Sequence, residues 1–188
     1  MISCQIDSVS GSEIVSSSEF KSFARIDTSD DDSIVADIIK AARMKCEAII
    51  NRDIVAKTRT LFISDVDYSG EYGNLYRKRM KIVLPFAPIA SITSVQSQDS
   101  DGNLSTASYE SYGFDDKYIE LSSSDSKNIK IVYVTSGMNH EDLALAIKQL
   151  GASYYDNRSD FIKGTIVAKV PTNVQTILSP YIYYNEVW

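Results

Sequence analysis

The sequence predicts an α+β chain: a small helical bundle with an antiparallel β insertion between its first and second long helices. Three observations carry that prediction. Residues 28–52 repeat apolar side chains at helical spacing between a start and a stop signal. Residues 57–135 change to short β-branched and aromatic runs punctuated by Gly, Pro, Asn and Asp. From residue 141 the period returns to that of a helix. The boundaries drawn are 1–56 for an N-terminal segment and the first long helix, 57–137 for the β-rich insertion, and 138–188 for two further helices and an aromatic tail. A chain of 188 residues, 44% of them apolar, can bury roughly 70% of its unfolded surface and so support a core.

Residues 1–17 are polar and Ser-rich, and are expected to be weakly ordered. Ser18–Arg25 reads as a short helical turn presenting Phe20 and Phe23. The first long helix follows. Thr28 or Ser29 can cap its free amides, and Asp30, Asp31 and Asp32 place negative charge where the helix dipole favours it. Asn51 tolerates a left-handed end, and Arg52 puts a cation near the last carbonyls. Ile34, Val35, Ile38, Ala42, Cys46 and Ile49 share one side, widened by Ile39, Ala41, Ala48 and Ile50. An apolar arc this broad implies more than one packing partner. Lys40, Arg43 and Glu47 fall opposite; Arg43 and Glu47 form an i,i+4 pair worth about 0.3–0.5 kcal/mol if exposed. Lys45 projects into the arc, either with its stem along the surface or as a charge at a subunit boundary.

In the insertion, 57–64 has strand composition, and 65–74 is a loop. A strand at 82–84, a break marked by Pro85 and Pro88, and a strand to Gln96 follow, the break lying at a bend or edge because proline cannot donate to a ladder. Asp101-Gly102 is a hairpin signal. Segments 109–114, 118–121 and 129–135 complete the set. Beyond it, Leu143, Ile147, Leu150 and Tyr154 line one face of a second long helix, with Gly151 on that face. A glycine costs a helix up to ~1 kcal/mol against alanine, so Gly151 marks close approach by another helix, with the Ala42 region the expected partner. The packing set is therefore Ile38, Ala42, Ile49, Ile147, Gly151 and Tyr154. Pro171 opens a short third helix, and Pro180 ends it.

Charge and composition narrow the function. The net charge of −6 argues against a general DNA-binding surface, though not against a wall that DNA slides past. No apolar run approaches the ~20 residues of a membrane span, and the N-terminal residues predict no signal peptide. Cys4 and Cys46 make no disulfide framework; Cys46 reads as a small core residue. One histidine, His140, excludes any site needing two. Asp65–Gly70 matches the opening of a calcium loop, but Tyr76 stands where a bidentate Glu is required, so it reads as a polar loop. No phosphate loop or nucleophile motif appears; no metal, cofactor or catalytic residue is assigned.

Two stretches stand out as contact candidates. Arg77-Lys78-Arg79 with Lys81 is a basic run in an acidic chain. It can be a solvated loop, a nucleic-acid contact, or a contact with a neighbouring copy through Asp115-Asp116 or Asp30–Asp32. Tyr181, Tyr183, Tyr184 and Trp188 crowd the last eight residues. They either fold back over their own helices or extend to dock on a partner, as Tyr and Trp do at binding hot spots.

The order of these pieces resembles the head–tail connector (adaptor) proteins of tailed bacteriophages. Ile26-Asp27 with Asp30–Asp32, Ile38-Ile39, Ala41-Ala42-Arg43, Glu47 and Arg52 is similar to their opening helix. Leu84-Pro85, Pro88, Val95 and Asp101-Gly102 are similar to their central strands. Ala146-Ile147 with Tyr154-Tyr155 and Arg158, and Ile177-Leu178 with Pro180-Tyr181, are similar to their later helices. Two positions depart from the pattern: Asn139-His140 stands where a Val-Pro pair is common, and an aromatic tail, 182–188, follows the closing Pro-Tyr.

The resemblance implies a structural virion protein at the head–tail junction, made in the host bacterial cytoplasm. Its copies would form a homo-oligomeric ring, a dodecamer, below the portal protein. The ring would extend the DNA channel without sequence-specific binding and dock the downstream neck or tail-completion protein. No catalysis, cofactor or membrane is implied. The interface candidates become Arg77, Lys78, Arg79, Lys81 and Lys45, and the docking tail Tyr181, Tyr183, Tyr184 and Trp188. The alternative is another soluble, non-catalytic binding module, such as a different phage neck or tail protein.

Overall fold

The computed structural model describes residues 2–64, 80–99, 101–121, 128–157 and 172–183. Arg77, Lys78, Arg79, the Asp65–Gly70 loop, Tyr184 and Trp188 lie outside the described residues. The fold is α+β, with two compact units, one drawn from Met1–Gly11 and Val55–Gly137 and the other from Ser12–Ile54 and Met138–Tyr184.

The first unit is antiparallel throughout. Its larger sheet joins β1 (Ile2–Val9), β2 (Lys57–Ile63), β4 (Ile89–Gln98), β5 (Leu104–Thr106) and β8 (Asn128–Thr135) in the order β1-β2-β8-β4-β5. A smaller sheet joins β3 (Met80–Val83), β6 (Tyr109–Tyr112) and β7 (Tyr118–Leu121) in the order β3-β7-β6. Burial on β8 alternates residue by residue, turning Ile129, Ile131, Tyr133 and Thr135 inward, as the period of a half-buried strand requires. Ile129, Ile131 and Tyr133 meet Leu61, Ile82, Leu84, Ile89, Val95, Ile119 and Leu121 in one core.

The first residues correct the sequence reading. Instead of being weakly ordered, Ile2–Val9 pairs with β2 along its length, from Ile2 opposite Ile63 to Val9 opposite Lys57. An edge strand needs only backbone partners on one side, so a polar stretch serves well; all its side chains but that of Cys4 stay exposed. At the proline-marked break, Phe86 takes a left-handed conformation (φ 62°), sparsely populated for a residue with a Cβ. The Arg59 guanidinium lies 3.7 Å from the centroid of the Phe86 ring. The Tyr133 hydroxyl donates to the Pro85 carbonyl at 3.0 Å, anchoring the bend to the core. In the β4–β5 hairpin, the Asp99 carboxylate accepts from the amides of Asn103 and, more weakly in effect, Asp101, both at 2.9 Å. Those bonds hold its carboxyl below the usual range.

The second unit contains α1 (Ser17–Ala24), α2 (Asp32–Ile50), α3 (Glu141–Asp156) and α4 (Thr172–Leu178), the last continued by a 3₁₀ turn at Ser179–Tyr181. A reciprocal capping box starts α1: the Glu19 amide donates to Ser16 Oγ at 3.2 Å, and the Ser16 amide donates to Glu19 Oε2 at 2.8 Å. Helix α2 begins after Asp31, which makes no side-chain cap bond, and not after Thr28 or Ser29. It ends on Asn51 in the left-handed region (φ 54°), as its sequence predicts. Pro180 sits inside the 3₁₀ turn that extends α4. The core gathers Phe20, Val35, Ile39, Ala42, Cys46, Ile50, Leu143, Ala146, Ile147, Leu150, Val174 and Leu178.

Two expectations about packing change. The buried stripe of α2 is Val35, Ile39, Ala42, Arg43, Cys46, Glu47 and Ile50, whereas Ile34, Ala41 and Ala48 are exposed. The stripe is rotated toward the charged pair because Arg43 and Glu47 are paired in the interior. Gly151 faces chiefly α1, not the Ala42 region: a Cβ there would stand 2.6 Å from Phe20 Cε2 and 3.4 Å from Ile38 Cγ2.

Candidate interaction surfaces

An ionic network fixes which face α2 shows to its neighbours. Arg43 Nε donates to both Glu13 carboxylate oxygens, at 2.9 and 3.1 Å, and Nη1 donates to Glu47 Oε2 at 2.6 Å. Glu47 Oε1 in turn accepts the Ile54 amide at 2.9 Å. The Arg43 side chain is 3% exposed and that of Glu47 9%. A buried charge is tolerable only with such partners. Beside them, burial, and secondarily the Glu47 charge, pushes the Cys46 thiol up to about 12, so Cys46 is an inert core thiol.

With that face turned inward, the outer face of α2 carries Ile34, Asp37, Lys40, Ala41, Met44, Lys45 and Ala48, all exposed. Ile34 is 39% and Met44 54% exposed. Lys45 therefore stands among apolar side chains at the surface. Ala42, Ile147 and Gly151 are buried in the helical unit, while Ile38, Ile49 and Tyr154 are half-buried. Burial is the main influence raising the Tyr154 phenol, with Cys46 a smaller one.

The start of the aromatic tail lies on its own unit. Tyr181 and Ile182 pack against the helical core. The Tyr181 hydroxyl donates to Asp142 Oδ2 at 3.3 Å, and its ring lies 5.5 Å from that of His140. Burial, then Asp142, raises the Tyr181 phenol. The Tyr183 amide donates to the Ile50 carbonyl at 2.8 Å, and Arg52 sits 4.9 Å from the centroid of the Tyr183 ring.

In the β unit, the β6–β7 turn is both pinned and exposed. The Ile89 amide donates to the Asp115 carbonyl at 2.8 Å, and the Leu84 amide donates to the Lys117 carbonyl at 2.9 Å. Lys117 Nζ donates to the carbonyls of Ile89 and Ala90 at 2.8 and 3.0 Å. Gly113 holds φ 95°, and any Cβ on it would collide with the Asp116 carbonyl. Between these anchors Phe114 is 94% exposed. The flank of the small sheet is rich in aromatic and acidic side chains. Tyr112 stacks on Tyr118 at 5.2 Å, Lys81 Nζ lies 4.1 Å from the Tyr118 centroid, and Glu110 stands opposite Glu120. From the sequence Phe114 is the end of a strand; only the geometry of the turn shows it as a projecting ring.

The family model described as head completion protein matches residues 13–183. The chain belongs to the head completion protein family. Solved structures share its fold. A chain in the neck of an empty GTA particle computed with C6 symmetry is 19% identical with a TM-score of 0.68, the match covering 100% of this chain and 97% of that one. One in the virion of a native gene transfer agent (GTA) particle is 17% identical, with a TM-score of 0.69 and coverage of 98% and 97%. A third, in the neck of a native GTA particle computed with C12 symmetry, is 16% identical, with a TM-score of 0.59 and coverage of 96% and 97%. No curated protein matches the chain.

Proposed function

We propose that this head completion protein is a structural part of a virion neck at the head–tail junction, working as a closed ring of twelve copies below the portal. The ring extends the DNA channel and receives the next neck or tail component. The observation that carries the reading is the family match over 13–183, joined to near full-length likeness to chains of GTA necks. The net charge of −6 suits a channel wall that DNA slides past. The role is mechanical, with no catalytic step.

A closed ring needs a heterologous contact, one surface of each copy against a different surface of the next. The basic run Arg77, Lys78, Arg79 and Lys81 serves that contact in this reading, and Tyr184 and Trp188 serve the portal. The test is the mass of the assembly formed by the free chain and by the chain mixed with its portal. Reversing Arg77, Lys78 and Arg79 to Glu is expected to weaken ring formation most at low salt, where screening is least. Truncation after Tyr183 is expected to spare folding and lose portal attachment. Rings of unchanged stability at every salt concentration exclude the basic run, and portal attachment by the truncated chain excludes the tail.

A further inference from the structure

We propose that the β6–β7 tip of one copy docks on the outer face of α2 of a second copy. Phe114 lies against Ile34, Ala41 and Met44, and Asp115 and Asp116 face Lys40 and Lys45. The inference rests on the ring reading above and adds a second contact between copies to the one through the basic run.

Three observations carry it. The first is the tip itself. A single exposed apolar side chain is ordinary on a protein surface, but Phe114 is 94% exposed on a turn pinned by Gly113 and by the bonds of Asp115 and Lys117. A ring held out by fixed backbone loses little conformational freedom on docking, which is how preorganised anchors gain affinity. The second is the receiving face. Ile34, Ala41 and Ala48 recur every seven residues along α2, with Met44 beside them, all exposed. At a rise of 1.5 Å per residue that row runs for roughly 20 Å. The small side chain of Ala41, between Ile34 and Met44 along the row, gives a phenyl ring room to sit.

The third is charge. Asp115 and Asp116 follow Phe114 directly and are exposed. On α2, Lys40 and Lys45 border the apolar row on its two sides and outnumber Asp37. Complementary potentials of this kind set register and suppress wrong partners. Each copy owns one tip and one α2 face. The contact is therefore heterologous, and repetition uses both surfaces of every copy, as ring closure requires.

The experiment measures the concentration of half-assembly by sedimentation, with and without portal, for the full chain and its exposed-residue variants. Circular dichroism checks that each variant is folded. Phe114→Ser is expected to raise the half-assembly concentration at least about 30-fold at any salt. Asp115→Lys with Asp116→Lys, and separately Lys40→Glu with Lys45→Glu, are each expected to raise it about 10-fold at low salt. Combining the two reversals is expected to restore most of the loss, because the swapped charges again oppose one another. Rings that form normally in all the variants overturn this contact and leave the ring reading standing. A wild-type chain that stays monomeric at every concentration and with portal overturns the ring reading and this contact together.

Discussion

Gly151 sits where helix propensity and packing pull in opposite directions, so its substitution separates the two. Alanine at that position gains up to ~1 kcal/mol of intrinsic helix stability. Against it, the new Cβ would lie 2.6 Å from Phe20 Cε2 and 3.2 Å from Cζ, whereas carbon pairs prefer about 3.5–4.0 Å. Relief needs a shift of about 1 Å. The Phe20 ring is fully buried. Overpacking of this kind costs about 1–3 kcal/mol. Gly151→Ala should therefore be neutral to about 2 kcal/mol destabilising. Gly151→Leu has nearly the same propensity gain and more added volume, so it should be clearly worse. In a chain of this size each kcal/mol moves Tm by roughly 2–4 °C. The assay is urea unfolding followed by far-UV circular dichroism, on a cycle with Phe20→Leu. A smaller side chain at 20 should relieve the clash, giving a coupling of about 0.5–3 kcal/mol between the sites. A Gly151→Ala protein stabilised by a full ~1 kcal/mol, with effects additive with Phe20→Leu, would refute the close approach.

Arg43→Ala should cost about 3–5 kcal/mol in denaturant unfolding, because it removes the cation beside the buried Glu47 carboxylate; a loss below about 1 kcal/mol would mean that the pair is solvated. Ser16→Ala should remove about 0.5–2 kcal/mol by breaking the cap of α1, and wild-type stability in that variant would remove the capping box from the account. Bonds from the Ser16 side chain and amide hold the Glu19 carboxyl below its usual value. Its contribution is therefore complete above the ordinary glutamate pKa and is lost as pH falls through the lowered folded-state value. The Ser16→Ala protein should show less of that acid loss than wild type, and parallel pH–stability curves would contradict the assignment.

The elements legible in the sequence are those with a strong local period or a specific end residue. Residues 129–135 alternate, and β8 alternates; Asn51 tolerates a left-handed end, and α2 ends there in that conformation. What stayed hidden depends on partners far along the chain. Ile2–Val9 is Ser-rich, and its partner β2 begins at Lys57, so composition spoke louder than the Ile2, Cys4, Ile6 alternation. An i,i+4 Arg43–Glu47 pair reads alike on a wet or a dry face. Its burial turns on Glu13, thirty residues away, and on the Ile54 amide. Gly151 signalled close approach, but the approaching group is the Phe20 ring of a helix too short to weigh heavily in the sequence. The Ser16-x-x-Glu19 capping signature was present and would have fixed the start of that helix. Among the interface candidates, Lys45 could be placed on α2 from its period alone. The exposure of Phe114 required the turn geometry around Gly113.

The central claim is that copies of this chain close into a ring at the portal. The measurement that bears on it most directly is the mass of the complex formed with portal, by native mass spectrometry of the purified mixture. A closed ring of twelve gives a single species carrying twelve copies of the 20.9 kDa chain on one portal, with no continued growth at higher concentration. A chain that leaves the portal bare, or that adds copies without a limit, would contradict it.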